Sequence, residues 1–478
     1  MVKNLSMWLQ EYEQKHPEEV IHIEQEVSTR YEVTAFVRAF EEKNQYPILV
    51  FHKLKTESGR PSNWRLITNI LATRTRCAEI AGTTYDEVAR YFSEKTKERI
   101  KPVIVKKNEA PCKQVIMRCP QDISLFDIPL VRHHSLDGGP FFTGGFFTCF
   151  DAETRVDNSS LHRGNVWEDD KAGINMSPIS HAGDIFRNYE AMDKDMPAAY
   201  WVGHHPAAMI SAQTRMALGE SHFEVMGAVL GEPLRLVPSE SYGEDLLVPA
   251  DAEFIFEGYL PARKRAPEGP FGEYPGYTGP QRWNPYFIIT HITCRKDAIF
   301  HDITVGGPEH QITGCFGIET GVYNLVKQVV PTIKNVYMPV SGCCRFHVYL
   351  QIKKERDPDG REAIMAAMLA DPRIKHVFAF DEDIDIFNEK QVLWAIATRT
   401  QWDEDLIIVP EVAGAPWDPS SKDAVTCKGG IDATEPLPTT SPFLLGNVLP
   451  KEIKEKINYT TLDKFISKEK LAKTPVTI

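Results

Sequence analysis

The chain has 478 residues, 42% of them hydrophobic and 25% charged, which are the proportions of an ordinary globular protein with length for two or three domains. Lys+Arg total 54 against Asp+Glu 66, a formal charge of -12, so no basic surplus exists to replace the counterions of a nucleic acid. No apolar run approaches the roughly 18 residues that a membrane-crossing helix needs, so no membrane partner is expected.

The chain begins MVKNLSMWLQEYEQKH, with charges where a signal peptide would carry an apolar stretch. Together with nine scattered cysteines, an odd number, this predicts a reduced, cytoplasmic protein. SMWLQEYEQKH reads as an amphipathic helix and YPILVFHKL as a strand, with helical stretches around Ile67 to Ala81 and Tyr85 to Lys97. Residues 1–114 are therefore expected to form an α/β domain.

From Gln114 the texture changes. Short β-branched and aromatic runs, FFTGGFFTCF, AAYWVGHHPAAMI, EFIFEGYL and YFIITHITC, alternate with Gly, Pro, Asn and Asp clusters, predicting a β-rich barrel or sandwich over 115–308. The basic triplet Arg263-Lys264-Arg265 lies in this region and reads as a solvated loop.

Beyond that, GVYNLVKQVV, RFHVYLQIK, REAIMAAMLADP, HVFAFD and EKQVLWAIATRT alternate as helix and strand, a second α/β domain over 309–478 that ends in a charged helix from Lys451 to Leu471. The pair Cys343-Cys344 has no second pair at zinc-site spacing.

Four clusters are candidates for chemistry. Glu268 and Glu273 flank a Gly-Pro-Phe-Gly turn in EGPFGEYPGYTGP, where the prolines and glycines predict a loop without regular structure. A turn that folds back would bring both carboxylates to one cavity, where burial and repulsion raise one pKa and an arginine keeps the other charged; the alternative from spacing alone is a Gly/Pro-rich surface turn with two solvated glutamates.

Asn158-Ser-Ser-Leu-His-Arg163 and Ile179-Ser-His-Ala-Gly183 either offer oxygen and imidazole ligands for Mn²⁺ or Mg²⁺ or hold His181 as a structural histidine. Gly219-Glu-Ser-His-Phe-Glu224 would either complete a metal site or cap the helix that follows. DEDIDIF at 381–387 reads as acidic capping at a strand-to-helix junction, and His133-His134 and His204-His205 as structural histidines.

The order and spacing of APEGPFGEYPGYTG, NSSLHR, ISHAG, VPADAEFIFEGYL, DEDIDIFNEKQVLWAIATR and KGGIDAT resemble the UbiD family of prenylated-FMN-dependent decarboxylases over most of the chain. The resemblance implies a mixed α/β protein with an N-terminal α/β domain, a central split β-barrel that binds the flavin and metal, and a C-terminal α/β oligomerisation domain with a terminal helix. It implies that Arg163, Glu268 and Glu273 form the catalytic network, Arg163 pairing with Glu268 and Glu273 moving the proton.

By the same resemblance, prenylated FMN is bound through Mn²⁺ or Mg²⁺ with K⁺ close by. Leu161, His162, Arg163, Ser180, His181, Ser211 and Lys390 or Lys428 are expected around the cofactor. Asn158 and His181 are implied as metal ligands. The third ligand falls at His222, where the family usually has glutamate, with Glu220 and Glu224 as the alternatives.

Tyr274 and His310 are expected to line the pocket for an aromatic, heteroaromatic or α,β-unsaturated acid. A flavin prenyltransferase is the implied cofactor supplier and a homodimer or homohexamer the implied assembly. Two rival readings are a two-carboxylate hydrolase and a non-catalytic flavin-binding partner subunit of a larger decarboxylase.

Overall fold

The computed structural model describes residues 3–177, 180–439, 443, 449–457 and 459–467. Its first helix, Leu5–Lys15, starts where the Asn4 side chain accepts from the Met7 N–H and buries Leu5, Trp8, Leu9 and Tyr12, one face at helical spacing.

The strands Val20–Ser28 and Ile48–Lys55 pair in parallel, and Arg65–Thr68 adds antiparallel to the second. The helix expected from Ile67 therefore begins only at Arg74. Leu66, Ile67 and Thr68 are fully buried and pair with Leu49 to Phe51, so tertiary pairing overrides local helical spacing. Thr73 caps the helix Arg74–Ala81, and Gly82, at φ 74°, ends it. A fourth strand, Ile299–His301, comes from the far end of the central region.

A nine-stranded sheet forms the middle of the molecule. Along its path lie Phe141–Phe142, Gly164–Glu168, Lys171–Ile174, Tyr286–Cys294, Phe254–Leu260, Met196–Val202, Gly145–Phe150 and Asp157–Leu161, with Val115–Arg118 also paired to Tyr286–Cys294. Asp157–Leu161 ends the sheet on one side, and Gly164–Glu168 lies one strand in from the other side. Only His162 and Arg163 join them, so Leu161 and Gly164 are at most about 11 Å apart at about 3.8 Å per Cα step.

The sheet must therefore curl until its ends nearly meet, and Arg163 sits at the seam. Aromatic side chains fill the curl: Phe142 stacks on Tyr200 with centroids 4.8 Å apart, and Phe147 and Phe287 meet Tyr200 edge-on. The Tyr200 hydroxyl donates to the His162 carbonyl at 3.0 Å, fixing the seam from inside. At Gly258 the register shifts, and a Cβ there would lie 1.8 Å from the Ile288 carbonyl oxygen, so no other residue fits this bend.

The C-terminal part is a five-stranded sheet in the order Ile333–Tyr337, His347–Ile352, His376–Asp381, Val425–Ala433, Leu406–Ala413, parallel through its three middle strands. The helices Asp359–Ala370 and Glu389–Arg399 are the crossovers that parallel pairing requires. The acidic run after His376–Asp381 is structural, because Arg399 pairs with Asp381, Asp383 and Glu435.

Of the charged helix expected from Lys451 to Leu471, Lys451–Lys456 is α-helical and Tyr459–Lys464 a 3₁₀ turn; residues 468–471 lie outside the described residues. Among the described residues no helix is long and apolar enough to cross a membrane.

The helix Cys315–Val329 ties the C-terminal part to the first domain. Glu319 on it accepts from Arg74 Nη1 with both oxygens at 2.8 Å, and the guanidinium lies among the rings of Tyr85, Phe316, Tyr337 and Phe387. A buried ion pair held this way fixes relative position rather than supplying large net stability. It anchors the helix whose first turn lines the main cavity.

Candidate active site

Period-two alternation along Asp157–Leu161 sends Asn158 and Ser160 to one face, and His162 continues that face beyond the strand end. All three line a cavity of about 470 Å³. Ser160 Oγ bridges to His162 Nε2 at 2.9 Å, and His162 Nδ1 bonds the Asn175 carbonyl at 3.1 Å. The ring is thus locked, and burial lowers its pKa.

Two helix N-termini meet the same cavity. Ser180 caps His181–Ala191 by accepting from the Gly183 N–H, and Ser221 caps His222–Leu230 by accepting from the Glu224 N–H. Each cap places the next residue, His181 or His222, in the cavity wall. The segment at 219–224 therefore both caps its helix and presents a ligand-type side chain.

His222 has a pKa lowered to about 4, first by burial and then by neighbouring His181, so it is neutral. Its Nδ1 is buried without a hydrogen-bond partner among the described residues. Glu220 instead faces a second cavity beside Asn158 and His181, with its oxygens engaged by the Ala217 N–H and Arg99, while Glu224 lines neither. Asn158, His181 and His222 have the donor chemistry to hold a divalent cation, and the orphaned imidazole nitrogen fits that use.

The EGPFGEY segment is more regular than its composition predicts. Ala266–Glu268 pairs with Arg282–Asn284 and Phe271–Gly272 with Thr278–Gly279, so it folds back as two short ribbons. The fold-back brings both carboxylates to Arg163.

Glu268, with no exposed surface, accepts from Arg163 Nε at 2.8 Å, Arg163 Nη2 at 3.1 Å and Asn284 Nδ2 at 3.1 Å. Glu273 accepts from Arg163 Nη1 at 2.6 Å. A Cβ at Gly279 would lie 2.9 Å from the Glu273 carboxylate, so glycine there leaves the room it occupies. The family resemblance implies a pair between Arg163 and Glu268; the guanidinium fork serves both acids at once.

Burial raises the Glu273 pKa, Arg163 opposes that, and Glu268 adds to it. Arg163 is likewise buried, but the two carboxylates outweigh burial and hold its pKa above the ordinary arginine value. Its guanidinium also lies 5.1 Å from the Phe271 ring centre. A smaller cavity of about 130 Å³ opens on this group, lined by Leu161, His162, Arg163, Phe271, Glu273, Tyr274 and His310 among others.

Tyr274 and His162 line both cavities and so mark where they adjoin. The Tyr274 ring stacks on His310, centroids 3.9 Å apart, with Trp417 at 5.2 Å. His310 Nδ1 accepts from the Gly306 N–H at 3.2 Å, and burial pushes its pKa down to about 3, so it is a neutral ring with its proton on Nε2.

Three expected cofactor contacts are placed elsewhere. Ser211 is fully buried, its hydroxyl donating to the Ala208 carbonyl at 2.9 Å, and the cavity wall begins one residue later at Ala212. Lys390 is exposed at the start of its helix and outside both cavities. Lys428 is buried, with Nζ donating to the Met368 and Asp371 carbonyls at 2.7 and 3.1 Å, so its charge serves the C-terminal sheet.

The cations in the main cavity are instead Arg215, Arg345 and Arg373. They are isolated in sequence and carry no motif, so only folding collects them.

Family models of the 3-octaprenyl-4-hydroxybenzoate carboxy-lyase match in three parts: the N-terminal domain over residues 13–96, the Rift-related domain over 103–308 and the C-terminal domain over 311–433. The chain belongs to the UbiD family. It is a decarboxylase, a carboxy-lyase, by that membership.

Among relatives, the anhydromevalonate phosphate decarboxylase of Methanothermobacter thermautotrophicus is 32% identical over 89% of this chain and 96% of its own. The phenolic acid decarboxylase of Sedimentibacter hydroxybenzoicus is 29% identical over 91% and 92%. The UbiD-class enzyme HmfF from Pelotomaculum thermopropionicum in complex with FMN superposes with a TM-score of 0.89 at 31% identity, covering 96% of this chain and 99% of that one.

The mixed α/β architecture and curled sheet are those of UbiD-class structures. The hydrolase reading falls with this membership, and Glu268 has no surface open to a second substrate face.

Proposed function

We propose that this UbiD-family chain catalyses reversible, non-oxidative decarboxylation of an aromatic, heteroaromatic or α,β-unsaturated carboxylic acid with prenylated FMN, Glu273 acting as proton donor. The observation that carries it is one guanidinium, Arg163, joining Glu268 and Glu273 at a small cavity that adjoins a larger one edged by Asn158, His181 and His222.

Loss of CO₂ from an sp² carbon leaves a carbanion with no adjacent sink, and bound prenylated FMN supplies that sink. The protein's share is positioning and proton delivery. Glu268 and Asn284 fix the Arg163 fork, which aims the Glu273 carboxyl into the small cavity. Phe271, Leu161 and Val305 give that cavity apolar walls that limit water around the proton in transit. With its pKa raised by burial, Glu273 is suited to hold a proton and release it to the substrate carbon.

In this reading Asn158, His181 and His222 would hold Mn²⁺ or Mg²⁺, which would supply positive charge to bind the cofactor phosphate, with K⁺ as a further cation. A flavin prenyltransferase supplies the cofactor. The chain works as a homodimer or homohexamer, and the exposed Leu369, Leu393, Trp394 and Ile408 of the C-terminal part support self-association.

The decisive experiment is mass spectrometry of the cofactor released from protein co-produced with a flavin prenyltransferase, together with CO₂ release from a panel of aromatic, heteroaromatic and cinnamic acids. Prenylated FMN and turnover of at least one acid are expected. Finding neither FMN nor its prenylated form would remove the proposal.

His222→Ala is expected to lower bound manganese per chain at least tenfold by elemental analysis, with flavin lost in parallel. If His222→Ala kept its metal and Glu220→Ala lost it, the third ligand would be Glu220.

A further inference from the structure

The main cavity has two unlike walls. On the side of the curled sheet stand Asn158, Ser160, His162, His181 and His222. Gly314, Gly317 and Ile318, from the first turn of Cys315–Val329 and the residue before it, form another side with Arg345 and Arg373 from loops of the C-terminal part. Arg215 joins them from the segment after the helix Pro206–Ser211. Among the described residues no carboxylate lines this cavity.

Arg373 and Arg215 share one acid behind the wall, Asp371, at 2.8 and 2.6 Å. Arg345 has none. It is 1% exposed, and among the described residues its hydrogen-bond partners are backbone carbonyls, with no carboxylate within ion-pair distance. Its Nη1 donates to the Gln311 and Cys344 carbonyls at 2.9 and 2.7 Å, while Nε is buried with no partner.

Arg345 Cζ lies 4.3 Å from the centre of the Tyr274 ring, whose other contact at such range is the stacked His310. Two groups so close to one ring centre must take opposite faces. The guanidinium is thus held in place by Tyr274, two carbonyls and the bare backbone of Gly314, where a Cβ would lie 2.5 Å from Nη2.

A buried guanidinium without a counter-charge is costly to keep, and structures that keep one commonly use it to meet an anion. Three arginines sharing a single acid leave this wall net positive. Tyr274 directly follows Glu273, so the wall begins one side chain away from the acid assigned to proton transfer.

We propose that Arg345, flanked by Arg373 and Arg215, receives a second anionic group of the substrate, a carboxylate or phosphate at the end remote from the carboxyl that is lost. The proposal rests on the decarboxylase reading above and narrows its substrate class to dianionic acids. A cofactor phosphate would offer the same chemistry. The histidine-lined side of the cavity is where the metal reading places that phosphate, so the arginine side is left for the substrate.

The test is equilibrium binding to flavin-loaded protein, read by calorimetry. The probes are cinnamate, para-carboxycinnamate and para-phosphonocinnamate, with crotonate and fumarate as a shorter pair. Wild-type protein is expected to bind a dianionic member at least 50-fold more tightly than its monoanionic partner.

Arg345→Met is expected to shrink that ratio below about fivefold while flavin per chain, measured by absorbance, stays at the wild-type level. Should Arg345→Met not accumulate as folded protein, Arg345→Lys keeps the charge but loses the fork, and the ratio is expected to fall about tenfold.

Equal affinity of the wild type for both members of each pair would overturn the proposal. So would loss of flavin from Arg345→Met with the ratio intact, which would assign the guanidinium to the cofactor phosphate. Because the readout is binding, absence of CO₂ release counts against the decarboxylase reading, whereas a preference lost in Arg345→Met still supports the anion subsite.

Discussion

Glu273→Gln protein is expected to purify with its full flavin content and to lose at least about 10³-fold in CO₂ release, the upper range for removing a positioned general acid. The amide is nearly isosteric, and its oxygen still accepts from Arg163 Nη1, the bond that measures 2.6 Å to the carboxylate. What disappears is the dissociable proton.

The sign of the pH dependence follows from the same residue. Burial raises the Glu273 pKa, so the protonated donor persists above the range of an ordinary glutamate and is lost as pH rises through that raised value. Turnover should fall on that alkaline limb, provided substrate and flavin remain bound. Decarboxylation by Glu273→Gln at the wild-type rate would refute the assignment and place the proton donor at another group.

Arg163→Met should do broader damage. Glu268, without exposed surface, would keep only the Asn284 amide as a side-chain partner, and Glu273 would lose its partner in the fork. Removing one member of a buried ion pair costs about 3–5 kcal/mol, so a lower thermal midpoint is expected along with loss of activity.

Arg163→Lys separates the two effects. One ammonium keeps the charge but cannot bond Glu268 twice and Glu273 once. This variant should recover most of the thermal stability while remaining at least about 10²-fold slower, because misplacement of a reacting group costs roughly that much. Full activity in Arg163→Lys would show that charge alone suffices and that the fork geometry is dispensable.

Much of the candidate catalytic group was legible as sequence because its residues lie in two short motifs. NSSLHR alternates on a strand, so Asn158, Ser160 and His162 must share a face, and EGPFGEY concentrates glycine and proline where two acids must fold back on one another. The helix caps at Ser180 and Ser221 were likewise local, and they carried His181 and His222 to the cavity.

Errors came where local pattern and tertiary context disagreed. Ile67 and its neighbours have helical spacing, yet they pair with Leu49 to Phe51 and lie fully buried as a strand. Lys390 and Lys428 have the right charge for a phosphate, but one points to solvent and the other is consumed by backbone carbonyls.

The sequence by itself carried the short motifs that resemble the UbiD family, and through that resemblance the mixed α/β class and Glu268 and Glu273 as the acids expected beside Arg163, because each motif is a run of neighbouring residues. Only the tertiary structure decided that Arg163 bridges both acids, that His222 rather than Glu220 or Glu224 faces the main cavity, and that Tyr274 lies between His310 and Arg345. The physical reason is that hydrogen bonds and capping act over one turn, whereas the curl of a nine-stranded sheet and the packing of Cys315–Val329 bring together side chains more than a hundred residues apart. Residues at 163 and 273, or 274 and 345, have no shared pattern until the chain has closed around them.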